Sequence, residues 1–271
     1  MFADMHIHTW YSDGTLSPEE IAEKAKAENV TLISVCDHEL TDAYPELEKL
    51  CAGNNIKLIT GVEIVGIMDG REYHILAYNF DKQNKALNDL MRHNRNIFLD
   101  RGSKLIEKMS EQPEYCEIIS MQEFSKYERD RRNGGWGSID YLKSKGIVKG
   151  WFDYRDLARK YPVELEKYFF PAGEVIKIIH NAGGYAVLAH PGDNDLETCK
   201  KAALKFLELG IDGFECYYPA HSEEITEFHV KFCREHDLII TVGNDEHGGF
   251  GEFNIGTLKI KTEQLNLKDM I

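Results

Sequence analysis

Short, almost continuously apolar runs alternate along the chain with longer mixed segments, and this rhythm predicts alternating strands and helices. The strand FADMHIHT leads into SPEEIAEKAKAENV, where Ser17 precedes Glu20 by three residues, a capping-box signature for a first helix. TLISVCDH, KLITGVEIVG and YHILAYNF read as further strands, with a helix over DAYPELEKLCAGNN between the first two. The pattern resumes with the helix EVIKIIHNAGG, the strand YAVLAHPG, the helix LETCKKAALKFLELG, the strand IDGFECYYP, the helix SEEITEFHVKFCREHD and the strand LIITVGNDEHG. Strands this apolar, alternating with helices, predict a parallel sheet with helices outside it.

From about Asn94 to Phe170 the rhythm breaks. NRNIFLDRGSKLIEKMSEQ and SMQEFSKYERDRR read as charged helices, followed by NGGWGSIDYLKSKG and one more helix. Residues 94–170 are therefore expected to form a mainly helical insertion, with 1–93 and 171–271 building the barrel.

The 271 residues suffice for one large α/β barrel or two ordinary domains. Hydrophobic residues at 42% and charged residues at 29% fit a folded globular enzyme. No apolar run approaches the roughly 20 residues of a membrane span, and no basic, apolar pre-sequence opens the chain, so a cytoplasmic protein without a membrane partner is expected. Lys and Arg number 32 against 46 Asp and Glu, a net charge of -14, which disfavours long nucleic acid but leaves room for a small anion held through metal ions. The six cysteines form no CxxC pair and read as reduced packing residues.

Candidate chemistry gathers at the strand ends. Alternation turns His6 and His8 to one face of the first strand, and Asp13 follows in a Gly-containing turn. Later strands end in Asp37 and His38, Glu63, His74, His190, Glu215 and His221, and Asp245 and His247. In a parallel barrel such positions converge on the C-terminal face, where active sites are built. Taken singly, His190 reads as a hydrogen-bonded core residue, Asp37 as a helix cap and Glu63 as a partner for lysine. Their repetition at strand after strand favours a metal site. His93, His180, His229 and His236 fall on predicted helices and read as surface or packing residues. Imidazoles and carboxylates without thiolate suit zinc, manganese or iron. The donors exceed the three or four per ion that one metal needs, so two or three divalent ions are expected, with Glu63, from a middle strand, as the bridge.

HIHTWYSDG, CDH, GVE, the histidine of YHILAY, LAHPG and GNDEH resemble, in order and spacing, the motifs of the PHP (polymerase and histidinol phosphatase) metal-dependent phosphoesterases. The resemblance spans nearly the whole chain and is strongest for stand-alone members with a helical insertion. It implies a distorted (β/α)7 TIM-like barrel with three metals. On that pattern His6, His8, Glu63 and Asp245 would hold the first ion, Glu63, His74 and His190 the second, and Asp13, His38 and His247 the third. Cys36 stands where the family usually has threonine, and Asn244 and Glu246 where Ser and an aromatic residue are commoner; Glu246 is expected to add an acid near the pocket.

Ions of this kind acidify a bound water and supply hydroxide at neutral pH. Asp37, beside His38, is expected to act catalytically as an orienter rather than a ligand. His221 is a candidate both for substrate binding and for protonating the leaving alkoxide. Arg131 and Arg132 are candidate phosphate binders, because a guanidinium grips phosphate with two bonds, or else part of a solvated helix face. Among insertion aromatics, Trp136, Tyr141, Trp151 and Phe152 could stack on a base or form the insertion's own core. The subgroup implies phosphate esters of nucleotides as substrates, either nucleoside 3',5'-bisphosphates or the 5' ends of short oligonucleotides. Histidinol phosphate is the rival substrate; a catalytically silent metal-binding domain and an amidohydrolase-like enzyme are the rival classes.

Overall fold

The computed structural model describes residues 1–192 and 195–271. Seven strands form one sheet in chain order: β1 (Phe2–Ile7), β2 (Val30–Val35), β3 (Lys57–Met68), β4 (Arg71–Tyr78), β5 (Tyr185–Leu188), β6 (Gly213–Tyr217) and β7 (Ile239–Val242). The sheet curls into an open, distorted barrel. β1 and β7 meet at their ends through the His8 amide, which donates to the Glu246 carbonyl at 2.8 Å. Helices α1 (Pro18–Ala27), α2 (Tyr44–Gly53), α7 (Ala172–Asn181), α8 (Leu196–Leu209) and α9 (Glu223–Glu235) supply the outer layer. The capping box of α1 forms as its spacing predicts, with Ser17 Oγ accepting from the Glu20 amide at 3.2 Å and Glu20 Oε2 from the Ser17 amide at 2.8 Å.

One strand departs from the expected all-parallel sheet. β4 runs antiparallel to both β3 and β5, while the other pairs are parallel. Its connection to β3 is only Asp69 and Gly70, at φ 52° and 75°. A two-residue turn with both central φ positive closes a hairpin, whereas a parallel pair needs a crossover of a dozen or more residues. The reversal matters for the site. His74 lies early in β4, yet that end of an antiparallel strand stands with the C-terminal ends of its neighbours.

The two faces of the sheet bury different cores. Ile59 of β3 and Leu76 and Tyr78 of β4 share faces with Glu63 and His74, and they pack with Met5, Leu32 and Val187 to fill the barrel interior. Val62, Ile64, Ile75 and Phe214 point outward onto α7, α8 and α9. α3 (Lys85–Ser110) is one continuous helix that starts on the barrel and carries the chain across position 94. Beyond it lie α4 (Met121–Phe124), α5 (Gly137–Ser144) and α6 (Trp151–Lys160), around a small core of Leu105, Ile106, Met109, Ile119, Tyr141 and Leu142. SMQEFSKYERDRR is not the helix that its charge pattern suggests. Only Met121–Phe124 is α-helical; Asp130 caps a 3-10 turn at Arg131–Asn133, and Gly134 and Gly135, at φ 67° and 69°, turn the chain away.

Candidate metal centre

Glu63 is the hub of the barrel mouth. It is 1% exposed, and five imidazoles reach its carboxylate, His6 Nε2 the farthest at 3.4 Å from Oε2. His74 Nδ1 lies 2.8 Å and His190 Nε2 3.2 Å from Oε1, while His38 Nδ1 lies 3.1 Å and His8 Nε2 3.2 Å from Oε2. His6 and His8 share one face of β1 as their spacing requires, with their Nε2 atoms 3.1 Å apart. Asp245 Oδ1 closes that group at 3.1 Å from His8 Nε2 and 3.4 Å from His6 Nε2. On the other side His247 stacks on His8, ring centroids 4.1 Å apart, and sets Nε2 3.3 Å from Asp13 Oδ1. Asp13 Oδ2 in turn lies 3.7 Å from His38 Nε2.

Three sets of donor atoms fall within 4.8 Å of one another: His6, His8, Glu63 and Asp245; His8, Asp13, His38 and His247; and His38, Glu63 and His74. His190 joins the last through Glu63. All the residues that the sequence grouped as ligands thus meet at one place, and His8 and His38 each stand between two sets.

The donor set fits cations better than it fits its own hydrogen bonds. Asp13 Oδ1, His38 Nδ1 and Glu63 Oε2 are buried and make no well-aligned hydrogen bond, although ring nitrogens lie 3.1–3.3 Å from both oxygens, so charge alone compensates their burial. Electrostatics agrees. Burial opposes the charge on Glu63, yet His38, His74 and His6 hold it well below the usual carboxylate range. Burial also disfavours charge on His247, but Asp13 and Asp245 raise its pKa to about 10. His38, where burial wins, drops to about 4. Ionised carboxylates that draw protons onto neighbouring imidazoles are groups among which a divalent cation can replace those protons. Hard carboxylate oxygens mixed with imidazoles suit zinc, manganese or iron.

Positions just behind the donors fix their aim. Glu215 Oε1 accepts from His6 Nδ1 at 3.0 Å, which leaves the Nε2 lone pair for the centre. Its Oε2 accepts from the His190 amide at 2.7 Å, steadying a residue at φ 28°. Asp245, at φ 51°, also sits in the left-handed region, and its carbonyl accepts from His247 Nδ1 at 2.8 Å. Two non-glycine ligand candidates in this region are a local strain that the surrounding bonds hold in place. Glu215 stood among the strand-end acids in the sequence but carried no role there, because its partner lies 209 residues away.

Other expected site residues face elsewhere. Asp37 accepts from the Thr9 amide at 2.7 Å, Thr9 Oγ1 at 2.6 Å and Ser12 Oγ at 2.5 Å, so its carboxylate ties down the turn that presents Asp13. Among the described residues, His221 Nδ1 donates to the Cys216 carbonyl at 3.1 Å and Nε2 accepts from the Gly192 amide at 3.0 Å. Arg131 lies over the Tyr11 ring at 5.0 Å. Arg132 lies over Trp10 and pairs with Glu20 of α1 at 2.5 Å, outside the donor cluster. Glu246 is turned from the pocket: it accepts from the Gly248 amide at 2.9 Å and faces Lys24 of α1 at 3.8 Å. Arg129, which sequence reasoning passed over within the same charged run, donates to the carbonyls of Trp10, Ser12 and Gly135 and clamps the insertion to the Asp13 turn. Of the insertion aromatics, Tyr141 is core, Trp151 and Phe152 are exposed, and Trp136 stacks on Phe98 at 5.3 Å with both rings beside His38.

A barrel whose mouth carries a nest of imidazoles and carboxylates suits a metal-dependent hydrolase. The chain belongs to the PHP domain family, whose model matches residues 4–170. It is 28% identical over 257 residues to a 5'-3' exoribonuclease of Haemophilus influenzae, covering 93% of this chain and 92% of the relative. To a 3',5'-nucleoside bisphosphate phosphatase of Chromobacterium violaceum it is 26% identical over 273 residues, covering 93% and 90%. A Bifidobacterium adolescentis protein described as a metal-dependent phosphoesterase shares the fold with a TM-score of 0.77 at 24% identity, over 97% of this chain and 93% of that one. No helix among the described residues is long and apolar enough to cross a membrane.

Proposed function

We propose that this PHP-family hydrolase of phosphoester bonds acts on small nucleotides, as a nucleoside 3',5'-bisphosphate phosphatase or a 5'-3' exonuclease on short oligonucleotides. The observation that carries the reading is the ring of donors around Glu63, with buried oxygens that face ring nitrogens but make no well-aligned hydrogen bond. Two relatives that span over nine-tenths of this chain are named for those two activities, which supports nucleotides over histidinol phosphate. A silent binding domain would not need every donor position intact, and here none is lost.

We assign His6, His8, Glu63 and Asp245 to one ion, Glu63, His74 and His190 to a second, and Asp13, His38 and His247 to a third, with His8 and His38 close enough to be shared. Ions bound there supply Lewis acidity, acidifying water and offsetting charge on a phosphoryl group. The chain's own residues do the positioning. Glu63 sets the spacing between the two halves of the centre. Glu215 and the Asp245 carbonyl each hold an imidazole N–H and so aim the opposite nitrogen inward. Asp37 and Arg129 fix the Asp13 turn from behind. The Trp136–Phe98 stack walls the mouth beside His38 and offers a face to a base.

The test is phosphate release from adenosine 3',5'-bisphosphate, a 5'-mononucleotide, a short 5'-phosphorylated RNA and histidinol phosphate, with manganese added or stripped. Metal-dependent turnover of the nucleotides, abolished in His8→Ala and Glu63→Ala, is the expected result. Turnover of histidinol phosphate alone would replace the substrate, and silence with metal demonstrably bound would reject the reading.

A further inference from the structure

Arg95 of α3 is half-buried as a residue and makes no hydrogen bond, ion pair or ring contact with a described residue. In a chain of net charge -14, a half-buried arginine without a carboxylate partner is unusual. Its helical neighbours fix where it points. Asn94 Nδ2 donates to the Val65 carbonyl and to Glu39 Oε1, both at 2.9 Å, which locks this turn of α3 onto β3 and the residue after His38. Phe98 and Gly102, three and seven positions on, share the face of Arg95. Phe98 lies 6.0 Å from His38 and stacks on Trp136, and Gly102 packs so closely on Ser138 that a Cβ there would strike its hydroxyl. Arg95 therefore looks from α3 toward the 129–138 segment, one turn nearer the start of the helix than the aromatic wall.

The groups it meets there are cationic or spent. Arg129 is committed to three carbonyls and feels the charge of Arg95. Asp140 already accepts from Tyr127, the Asp130 amide and Asn133, and Asp13 belongs to the donor cluster. Two guanidinium groups near one another with no free acid between them repel, and an anion seated there would relieve both. Phosphate is the anion this site is built to meet. Arg95 is not among the metal donors, and the Phe98–Trp136 wall beside His38 stands one helical turn from it, which sets a group bound at Arg95 apart from one bound at the donors.

We propose that Arg95, with the charge of Arg129 behind it and the Trp136–Phe98 wall at its side, binds a second, non-scissile phosphate of a nucleotide substrate. The proposal rests on the reading of the centre as a nucleotide phosphoesterase and names the residue that makes it prefer doubly phosphorylated nucleotides. The planar guanidinium grips two phosphate oxygens while the neighbouring ring covers the base.

The experiment compares kcat/KM for adenosine 3',5'-bisphosphate with kcat/KM for p-nitrophenyl phosphate, which has a single phosphate, in the manganese-loaded wild type, Arg95→Gln and Arg95→Lys. Glutamine and lysine are good helix formers, so α3 is preserved in both. The ratio is expected to fall on the order of tenfold or more in Arg95→Gln, mostly through KM, and to recover in part in Arg95→Lys, which restores the charge without the fork. An unchanged ratio, or equal losses on both substrates, would overturn the assignment. If the wild type releases phosphate from neither compound, the phosphoesterase reading fails and takes this one with it.

Discussion

Glu215 accepts the Nδ1 proton of His6 at 3.0 Å, and this one bond decides which nitrogen of His6 faces the centre. Removing such a partner typically costs 10- to 100-fold in metal affinity. Glu215→Gln is therefore expected to weaken metal retention by about that factor while the protein stays folded. Metal content after dialysis against a graded chelator series measures it; a variant that retains metal as the wild type does would remove Glu215 from the centre.

Gly243 lies where a Cβ would strike both Glu215 Oε1 and His6 Cβ. Both neighbours are fully buried, so neither can swing aside. Gly243→Ala is expected to destabilise the fold by about 1–3 kcal/mol through overpacking and to lower metal content with it. Urea denaturation gives the first quantity, and an unchanged midpoint would contradict the close packing.

Asp37 separates a structural from a chemical role. Asp37→Asn places an amide against the donors of Thr9 and Ser12 and leaves buried groups unmatched, at a cost of about 1–3 kcal/mol. Because the turn it holds presents Asp13, metal content and activity are expected to fall together. Loss of kcat with metal content and stability intact would instead make Asp37 a proton-transfer group.

His229 of α9 is fully buried against Phe214 and Phe228, with Nδ1 donating to the Ile225 carbonyl and Nε2 unpartnered. Burial, helped by nearby His221, lowers its pKa to about 4 from 6.5. Between those values the unfolded chain holds a proton that the fold refuses. The stability linked to a neutral His229 is full above pH 6.5 and is lost as the pH falls toward 4, a difference of about 3 kcal/mol. Denaturation of wild type and His229→Leu at pH 7 and pH 4.5 checks it. The variant should lose less stability on acidification, and equal losses would exclude His229 as a source.

The parts of this molecule legible in the sequence are those that local periodicity dictates. His6 and His8 share a face because side chains alternate along a strand, and the strand ends meet because helices return the chain to the same side of the sheet. β4 shows the limit of reading by rhythm. Asp69–Gly70 between two apolar runs is a hairpin signal, and the strand–helix alternation on either side hides it. Glu215 and His221 show another limit. Both stand at strand ends, but one turns to His6 across 209 residues and the other to backbone, a choice made by tertiary contacts alone. The arginines of the insertion show a third: their charges are plain in the sequence, while the directions of Arg129, Arg131 and Arg132 depend on the glycines and the 3-10 turn around them.

The Asp69–Gly70 turn has a reach well beyond its two residues. It fixes the register in which Val65 faces His74 and Glu63 faces Leu76. A slip of one residue would send His74 to the helix-covered side of the sheet, because side chains alternate with a period of two. The turn is thus a length gauge for the mouth: the register it sets is what lets His74 Nδ1 meet Glu63 Oε1 at 2.8 Å, and a slip there would withdraw a donor without replacing one.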